Sequence, residues 1–334
     1  MGAHLRTIAF FNIKGGVGKT TLIYHLAWIY ADLGLRVLVV DLDPQSDLTS
    51  MLLDAGRLDE IQHEGGDRRS VAGVWRALIS NVDTNPMPEV EKISSNLRLL
   101  AGSLLVSSIE EEFNSVWQDE MEPIAGTISL VASLRRMLDA AASDMNADVV
   151  LFDLAPNLGA INRAVVIASS HVVVPLRPNS LSVQSLRIVG PTLHKWRRRW
   201  NDCLDRVIPS GQGDGLRQVP RALMNNAGYV IMPNSRSIAA SAPWGQKIAE
   251  AYLEAVMRQS NESPIEPDPN CVGIVRNYRS LMSIAMELGK PVFHLTPADG
   301  AIGSLGSGVR DSKLDFTRLA KELARRCRVE FPAV

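Results

Sequence analysis

A doubly wound α/β fold around a mostly parallel sheet is what this sequence predicts. Short apolar runs alternate along the chain with helical patterns. That alternation marks strand–helix–strand units. The runs are also nearly unbroken at residues 36–41 (RVLVVD), 148–153 (DVVLFD) and His171–Leu176 (HVVVPL). A strand covered on both faces needs such a run, whereas a half-exposed strand would alternate apolar with polar.

Taken in order, residues 7–13 read as the first strand and residues 20–33 as the first helix. Gly34 closes that helix, because glycine accepts the left-handed conformation that ends helices. Weaker strand candidates lie at 228–232 and 292–295. Three stretches read as insertions or loops. Residues 54–96 are polar, with Gly65, Gly66 and a Pro86-Met87-Pro88 turn; residues 208–221 are rich in Gly and Pro; residues 259–270 read QSNESPIEPDPN. None resembles a linker with a fresh hydrophobic pattern beyond it, so residues 1–334 read as one decorated domain.

Composition excludes several classes. The 334 residues are 46% apolar and 21% charged, close to soluble globular averages and unlike disordered or collagen-like chains. No apolar run approaches the roughly 18 residues of a membrane span. The first residues lack a secretory pattern, and Arg6 stands where a myristoylation signal wants Ser or Thr. Cys203, Cys271 and Cys327 lie far apart without a Cys-x-x-Cys pair, which suggests neither a zinc site nor a disulfide framework. A cytoplasmic, reduced protein is expected.

The strongest chemical signal is Lys14-Gly15-Gly16-Val17-Gly18-Lys19-Thr20-Thr21. It follows a strand and opens a helix, the context a phosphate loop requires. Glycines let backbone N–H groups turn toward oxygen anions, and the helix N-terminus adds partial positive charge. Lys19 can reach the β- and γ-phosphates, and the Thr20 hydroxyl can ligate Mg²⁺. Ile13 stands where the ordinary pattern has its first glycine, and the loop begins with a second lysine, Lys14. The pattern predicts a P-loop NTPase fold and resembles a deviant Walker A loop.

Two acidic elements follow. Asp41-Leu42-Asp43-Pro44-Gln45 ends the second strand, and Asp153 ends DVVLFD. Ligands of open α/β sheets bind at such strand ends. An Asp there can also be a mere turn residue; its company with the loop favours a metal-site carboxylate.

At these motifs the chain resembles the ParA/MinD superfamily, and within it the ParA-type partition ATPases. Asp153-Leu154-Ala155-Pro156-Asn157-Leu158-Gly159 is similar to the family's Asp-Thr-Pro-Pro-Ser-Leu-Gly, with Ala155 in place of Thr. Val174-Pro175-Leu176 matches the next strand. Arg276-Asn277-Tyr278-Arg279-Ser280-Leu281 and Gly289-Lys290-Pro291-Val292 resemble two late motifs, with Val275 where a Pro is usual.

The resemblance implies roles. Lys14 would reach across a homodimer bridged by ATP to the partner's nucleotide. Gly15 to Gly18, Lys19, Thr20 and Thr21 would hold phosphates and Mg²⁺. Asp43 would orient the attacking water, Asp41 would support the metal shell, Asp153 would be the Walker B carboxylate, and Asn277 would contact adenine. It also implies slow, partner-stimulated hydrolysis of ATP to ADP, for plasmid partition, chromosome segregation or cargo positioning. The cofactors would be ATP and Mg²⁺, the partners non-specific DNA and a ParB-like adaptor, and the location the nucleoid.

Charge is split along the chain. Residues 1–187 carry 15 Lys+Arg against 22 Asp+Glu, a balance of −7, and residues 188–334 carry 20 against 14, a balance of +6. In residues 188–200 (IVGPTLHKWRRRW), Val189, Leu193, Trp196 and Trp200 share one helical face. Lys195, Arg198 and Arg199 lie opposite. The apolar stripe reads as core. The basic face reads either as solvated surface or as a sequence-independent DNA contact. Arg318, Lys321, Arg325, Arg326 and Arg328 add a second basic stretch, against Glu322.

The main alternative is a MinD-like membrane-cycling ATPase. It would want an amphipathic C-terminal helix. Leu314, Phe316, Leu319 and Leu323 form some stripe, which a packed final helix explains equally, so no stable membrane anchor is expected. A redox ATPase would need cysteines after the strands, where this chain has none. A small-molecule kinase or synthetase would want a further acid/base cluster. With the loop beginning at residue 14, no N-terminal helix-turn-helix is expected.

Overall fold

The computed structural model describes residues 5–63, 69–79, 88–118, 124–207, 221–233, 242–259 and 265–332. Gly65, Gly66, the Pro86-Met87 part of the proposed turn, residues 208–220 and residues 260–264 lie outside the described residues. The strands are β1 (Arg6–Phe10), β2 (Val37–Leu42), β3 (Glu91–Lys92), β4 (Leu97–Leu100), β5 (Val149–Leu154), β6 (His171–Leu176), β7 (Asn225–Ile231) and β8 (Cys271–Ile274). They form one sheet in the order β3-β4-β2-β5-β1-β6-β7-β8. Every pairing is parallel except the short edge pair β3/β4.

The apolar runs are covered on both faces, as the sequence implies. Residues β2, β5 and β6 contribute six consecutive buried positions each. Because side chains alternate across a strand, Val37, Val39, Val149 and Leu151 face one core and Leu38, Val40, Val150 and Phe152 the other. The first face is packed by α1 (Lys19–Asp32), α10 (Arg279–Glu287) and α11 (Ser304–Cys327). The second carries α4 (Val71–Ile79), α5 (Val106–Gln118), α6 (Ile124–Met145), α7 (Ala160–Ala168) and part of α8 (Ser180–Val207). Helices α2 (Asp47–Leu52), α3 (Ala55–His63) and α9 (Ala242–Tyr252) are the other α-helices among the described residues.

Local reading and structure differ in places. The polar stretch 54–96 contains α3, α4 and β3, and Val71, Val74 and Trp75 of α4 are in the core. The strand candidate at 292–295 is a short 3-10 turn, Val292–His294. Its Val292 N–H goes to His25 Nε2 at 3.2 Å, and it pairs with no strand among the described residues. Strands β4 and β8, short and unremarked in the sequence, extend the sheet on both sides of the acidic strands and the phosphate loop. Gly34 does end α1, at φ 89°, donating to Ala31 O at 3.0 Å. On α11, Phe316, Leu319 and Leu323 are buried, while Leu314 is exposed. No described helix is long and apolar enough to cross a membrane.

Candidate nucleotide site

The phosphate loop leaves the sheet at a fixed angle. Phe11 N–H still donates to Val173 O at 2.9 Å. Buried Asn12 then donates to Pro175 O at 2.7 Å and accepts the Lys14 N–H at 3.0 Å. Gly16 and Gly18 adopt φ 66° and 92°, a left-handed region costing other residues roughly 1–2 kcal/mol. A Cβ on Gly18 would also stand 3.2 Å from Met232 Cε. Gly18 immediately precedes α1, so the first-turn N–H groups at Lys19, Thr20 and Thr21 lack helical acceptors and are available at the loop. Gly15 and Gly16 are exposed, Lys14, Thr20 and Thr21 half-buried, and Val17 is in the core.

Lys19 is only 7% exposed. Burial lowers its pKa, and the carboxylates of Asp153, Asp43 and Asp41 act against that. All three acidic residues that the sequence singles out thus act on this one ammonium through their charge.

Those carboxylates are held differently. Asp41 is fully buried and satisfied: Oδ2 accepts Thr49 N–H at 2.9 Å and Thr49 Oγ1 at 2.7 Å, and Oδ1 accepts Asp43 N–H at 3.2 Å. Burial pushes its pKa up, with Asp153 adding to the rise. Asp43 is half-buried, and its Oδ1 accepts Gln45 N–H at 3.0 Å, closing a turn. Asp153 is fully buried, yet neither oxygen meets a hydrogen-bond partner among the described residues. Burial raises its pKa, while the Lys19 charge and the Thr20 hydroxyl pull it down.

A donor-poor buried carboxylate beside a threonine hydroxyl suits a small hard cation that brings water and phosphate oxygens with it. No cluster of three or more His, Cys, Asp or Glu ligands occurs among the described residues. Magnesium fits that arrangement better than a metal needing an all-protein cage.

The remaining sequence candidates lie elsewhere. Asn277 follows β8, three strands from β1 on the same edge of the sheet, and is half-buried. It lines a cavity of about 270 Å³ with Tyr278, Leu281, Ser304 and Gly308. Its neighbour Arg276 is bound to Asp315 at 2.6 and 2.9 Å. Lys195, Arg198 and Arg199 are exposed on α8, and Val189, Leu193, Trp196 and Trp200 are buried beneath them. Arg197 turns inward to the Met224 carbonyl. Arg326 does not belong to a free basic surface: it pairs with Glu322 at 2.6 Å and donates to Ala227 O and Cys271 O, both at 3.1 Å.

Sequence reasoning missed Asn12 and Thr49. Each is a small polar residue whose importance lies in the partner that folding supplies, Pro175 O for Asn12 and Asp41 for Thr49; only Asn12, beside the loop, had a positional signal.

A family model described as an AAA domain matches residues 5–206. The cell-division protein PomZ of Myxococcus xanthus is 30% identical over 60% of this chain and 54% of its own length. The chromosome-partitioning ATPase Soj of Thermus thermophilus is 27% identical over 74% of this chain and 89% of its own. The chain belongs to the ParA-type P-loop ATPases. As a ParA-type protein it falls in a family of partition and positioning ATPases. The chain spans 43–65% of the length of the first curated relatives it matches. This ParA-type chain also shares its fold with the ATP complex of Cyanothece McdA, at TM-score 0.59 and 16% identity over 100% of both chains.

Proposed function

We propose that this protein is an ATP-driven positioning switch that forms a homodimer bridged by ATP, binds DNA without sequence preference in that state, and is released when a ParB-like adaptor stimulates slow hydrolysis. The observation that carries it is the buried Lys19 of the phosphate loop together with Asp41 and the donor-poor Asp153, register partners at the ends of β2 and β5. Phosphoryl transfer needs positioning and charge neutralisation more than covalent chemistry. In this reading Lys19 and the loop N–H groups hold the phosphates of ATP. Thr20 and Asp153 hold Mg²⁺, which neutralises phosphate charge. Asp41 fixes the Thr49 turn behind it, and Asp43 orients water. Asn277 contacts adenine.

Lys14 lies at the loop's outer start, half-buried. It completes the partner's site, so hydrolysis depends on assembly. Two copies joined over ATP double the exposed Lys195, Arg198 and Arg199 face. Each phosphate neutralised steepens the salt dependence by about 0.9 unit of slope, so doubling turns weak contact into usable affinity.

The test is binding to unrelated duplexes across a salt series with ATP, ADP and no nucleotide. The reading expects ATP-dependent binding, equal on all sequences and steeply weakened by salt. Binding to anionic liposomes in place of DNA, or nucleotide-independent binding, overturns it.

A further inference from the structure

The segment between Asp153 and α7 is held by a carboxylate from another helix. β5 ends at Leu154, and α7 starts at Ala160. In the connecting turn, Pro156 packs on the phosphate loop, its Cγ 3.7 Å from where a Cβ on Gly15 would stand. Buried Asn162 reaches back to Ala155 O and Asn157 Oδ1, both at 2.7 Å. Asn157 Oδ1 also accepts the Gly159 N–H at 2.9 Å.

Helix α7 cannot cap itself, because the residue before it is Gly159. Glu110 of α5 supplies the cap: its Oε2 accepts Ile161 N–H at 3.3 Å. A carboxylate suits that place, since a helix N-terminus offers unpaired N–H groups and partial positive charge. The fit is close. A Cβ on Gly159 would stand 1.8 Å from Glu110 Oε1 and 2.6 Å from its Cδ. Burial raises the Glu110 pKa, and the Ile161 and Ala160 N–H groups hold it down.

Helix α5 is itself tied to the other acidic strand. It is anchored in the core by Val106, Ile109 and Phe113. The loop leading to it begins at Gly102, whose N–H donates at 2.8 Å to Thr49 Oγ1, the partner of Asp41.

We propose that Glu110 is a positioning residue for ATP hydrolysis: by capping α7 from α5 it fixes residues 155–159 against the phosphate loop and links the Asp153 side of the site to the Asp41 side. This rests on the reading that ATP is hydrolysed at the loop. Glycine at 159 is then the room that Glu110 occupies.

The experiment compares wild type, Glu110→Ala, Glu110→Gln, Gly159→Ala and the double variant Glu110→Ala/Gly159→Ala, each checked for folding by circular dichroism. ATP Kd, kcat and hydrogen exchange at the Ala160 and Ile161 amides are measured. Glu110→Ala should exchange about tenfold faster there and lose about tenfold in kcat, with ATP Kd within about threefold, because misplacement penalises the reaction more than binding. Glu110→Gln keeps an acceptor oxygen and should recover most of both. Gly159→Ala should lower kcat more in the wild-type background than in Glu110→Ala, where the carboxylate it strikes is gone and only Asn157 Oδ1, 3.1 Å from the new Cβ, remains close. Unchanged exchange and kcat in folded Glu110→Ala, or equal Gly159→Ala losses in both backgrounds, overturn the proposal. A wild type that binds ATP without hydrolysing it sinks the parent reading, while the exchange arm still decides whether Glu110 holds the turn.

Discussion

Asp41 and Asp153 are register partners on the adjacent parallel strands β2 and β5, yet the protein satisfies only the first. Both are fully buried. Asp41 accepts two donors from Thr49 and one from Asp43, whereas Asp153 has no partner among the described residues. The two carboxylates therefore do different work.

Asp41→Ala should cost about 1–3 kcal/mol of stability, because it strands the buried Thr49 N–H. Asp153→Asn should leave the nucleotide-free fold as stable or more so, since it removes a buried charge. Burial raises the folded pKa of both carboxylates, so each contribution declines as pH rises from the unfolded value, and what separates the pair is the donors that only Asp41 meets. Magnesium-dependent ATP turnover should nevertheless collapse in Asp153→Asn. Urea unfolding and a magnesium titration of turnover check the pair; equal stability losses in both variants count against the distinction.

Binding and hydrolysis should separate along the loop. Lys19→Ala should abolish productive ATP binding, because it removes the ammonium on which the Asp41, Asp43 and Asp153 charges act. Asp43→Ala should keep ATP affinity, slow hydrolysis and accumulate an ATP-bound dimer. Lys14→Ala should also lose hydrolysis. Calorimetric ATP binding, phosphate release and light scattering decide it. A Lys14→Ala monomer that hydrolyses ATP normally would make this an ordinary phosphate-loop ATPase.

His25 should make the fold acid-sensitive. Its Nε2 accepts Val292 N–H at 3.2 Å, so its Nδ1 carries the proton and donates to Thr21 O at 2.7 Å. The ring stacks on Phe316 with centroids 4.7 Å apart. Burial lowers its pKa to about 4. The unfolded chain takes up that proton near pH 6.5 and the folded chain does not, so the contribution is full above about pH 6.5. It shrinks by about 3 kcal/mol as pH falls toward 4. His171, lowered to about 4 by burial and by Arg6 and Arg328, adds in the same direction. Unfolding free energies of wild type and His25→Gln from pH 4 to 7 should therefore converge at the acid end; a constant difference rejects the assignment.

The two basic stretches should behave oppositely. Arg326→Met removes a clamp that joins α11 to the ends of β7 and β8, and should cost about 1.5–3 kcal/mol, the range for hydrogen bonds to a charged group. It should leave DNA affinity per folded molecule unchanged. Arg198→Glu with Arg199→Glu should leave the melting temperature and DNA-free ATP turnover near wild type, yet weaken binding to every duplex alike. Melting curves and DNA titrations on both variants separate the roles.

Adjacent residues alone determined the phosphate loop, the two acidic strand ends and the parallel fold. Glycine conformation, apolar runs and the lysine–threonine register are local properties, and no distant contact is needed to read them. Tertiary structure decided the rest. Val292 has a strand-like pattern, but its N–H goes to His25, so it forms a turn. Arg326 reads as a surface charge until the Ala227 and Cys271 carbonyls gather around it. Asp41 and Asp153 look alike as strand-end carboxylates and are told apart by Thr49 and the Asp43 N–H, which donate to one and not the other. Glu110 lies 51 residues from the amide it caps. Hydrogen bonding and desolvation depend on which groups folding brings within about 3 Å, and residue order along the chain does not set that distance.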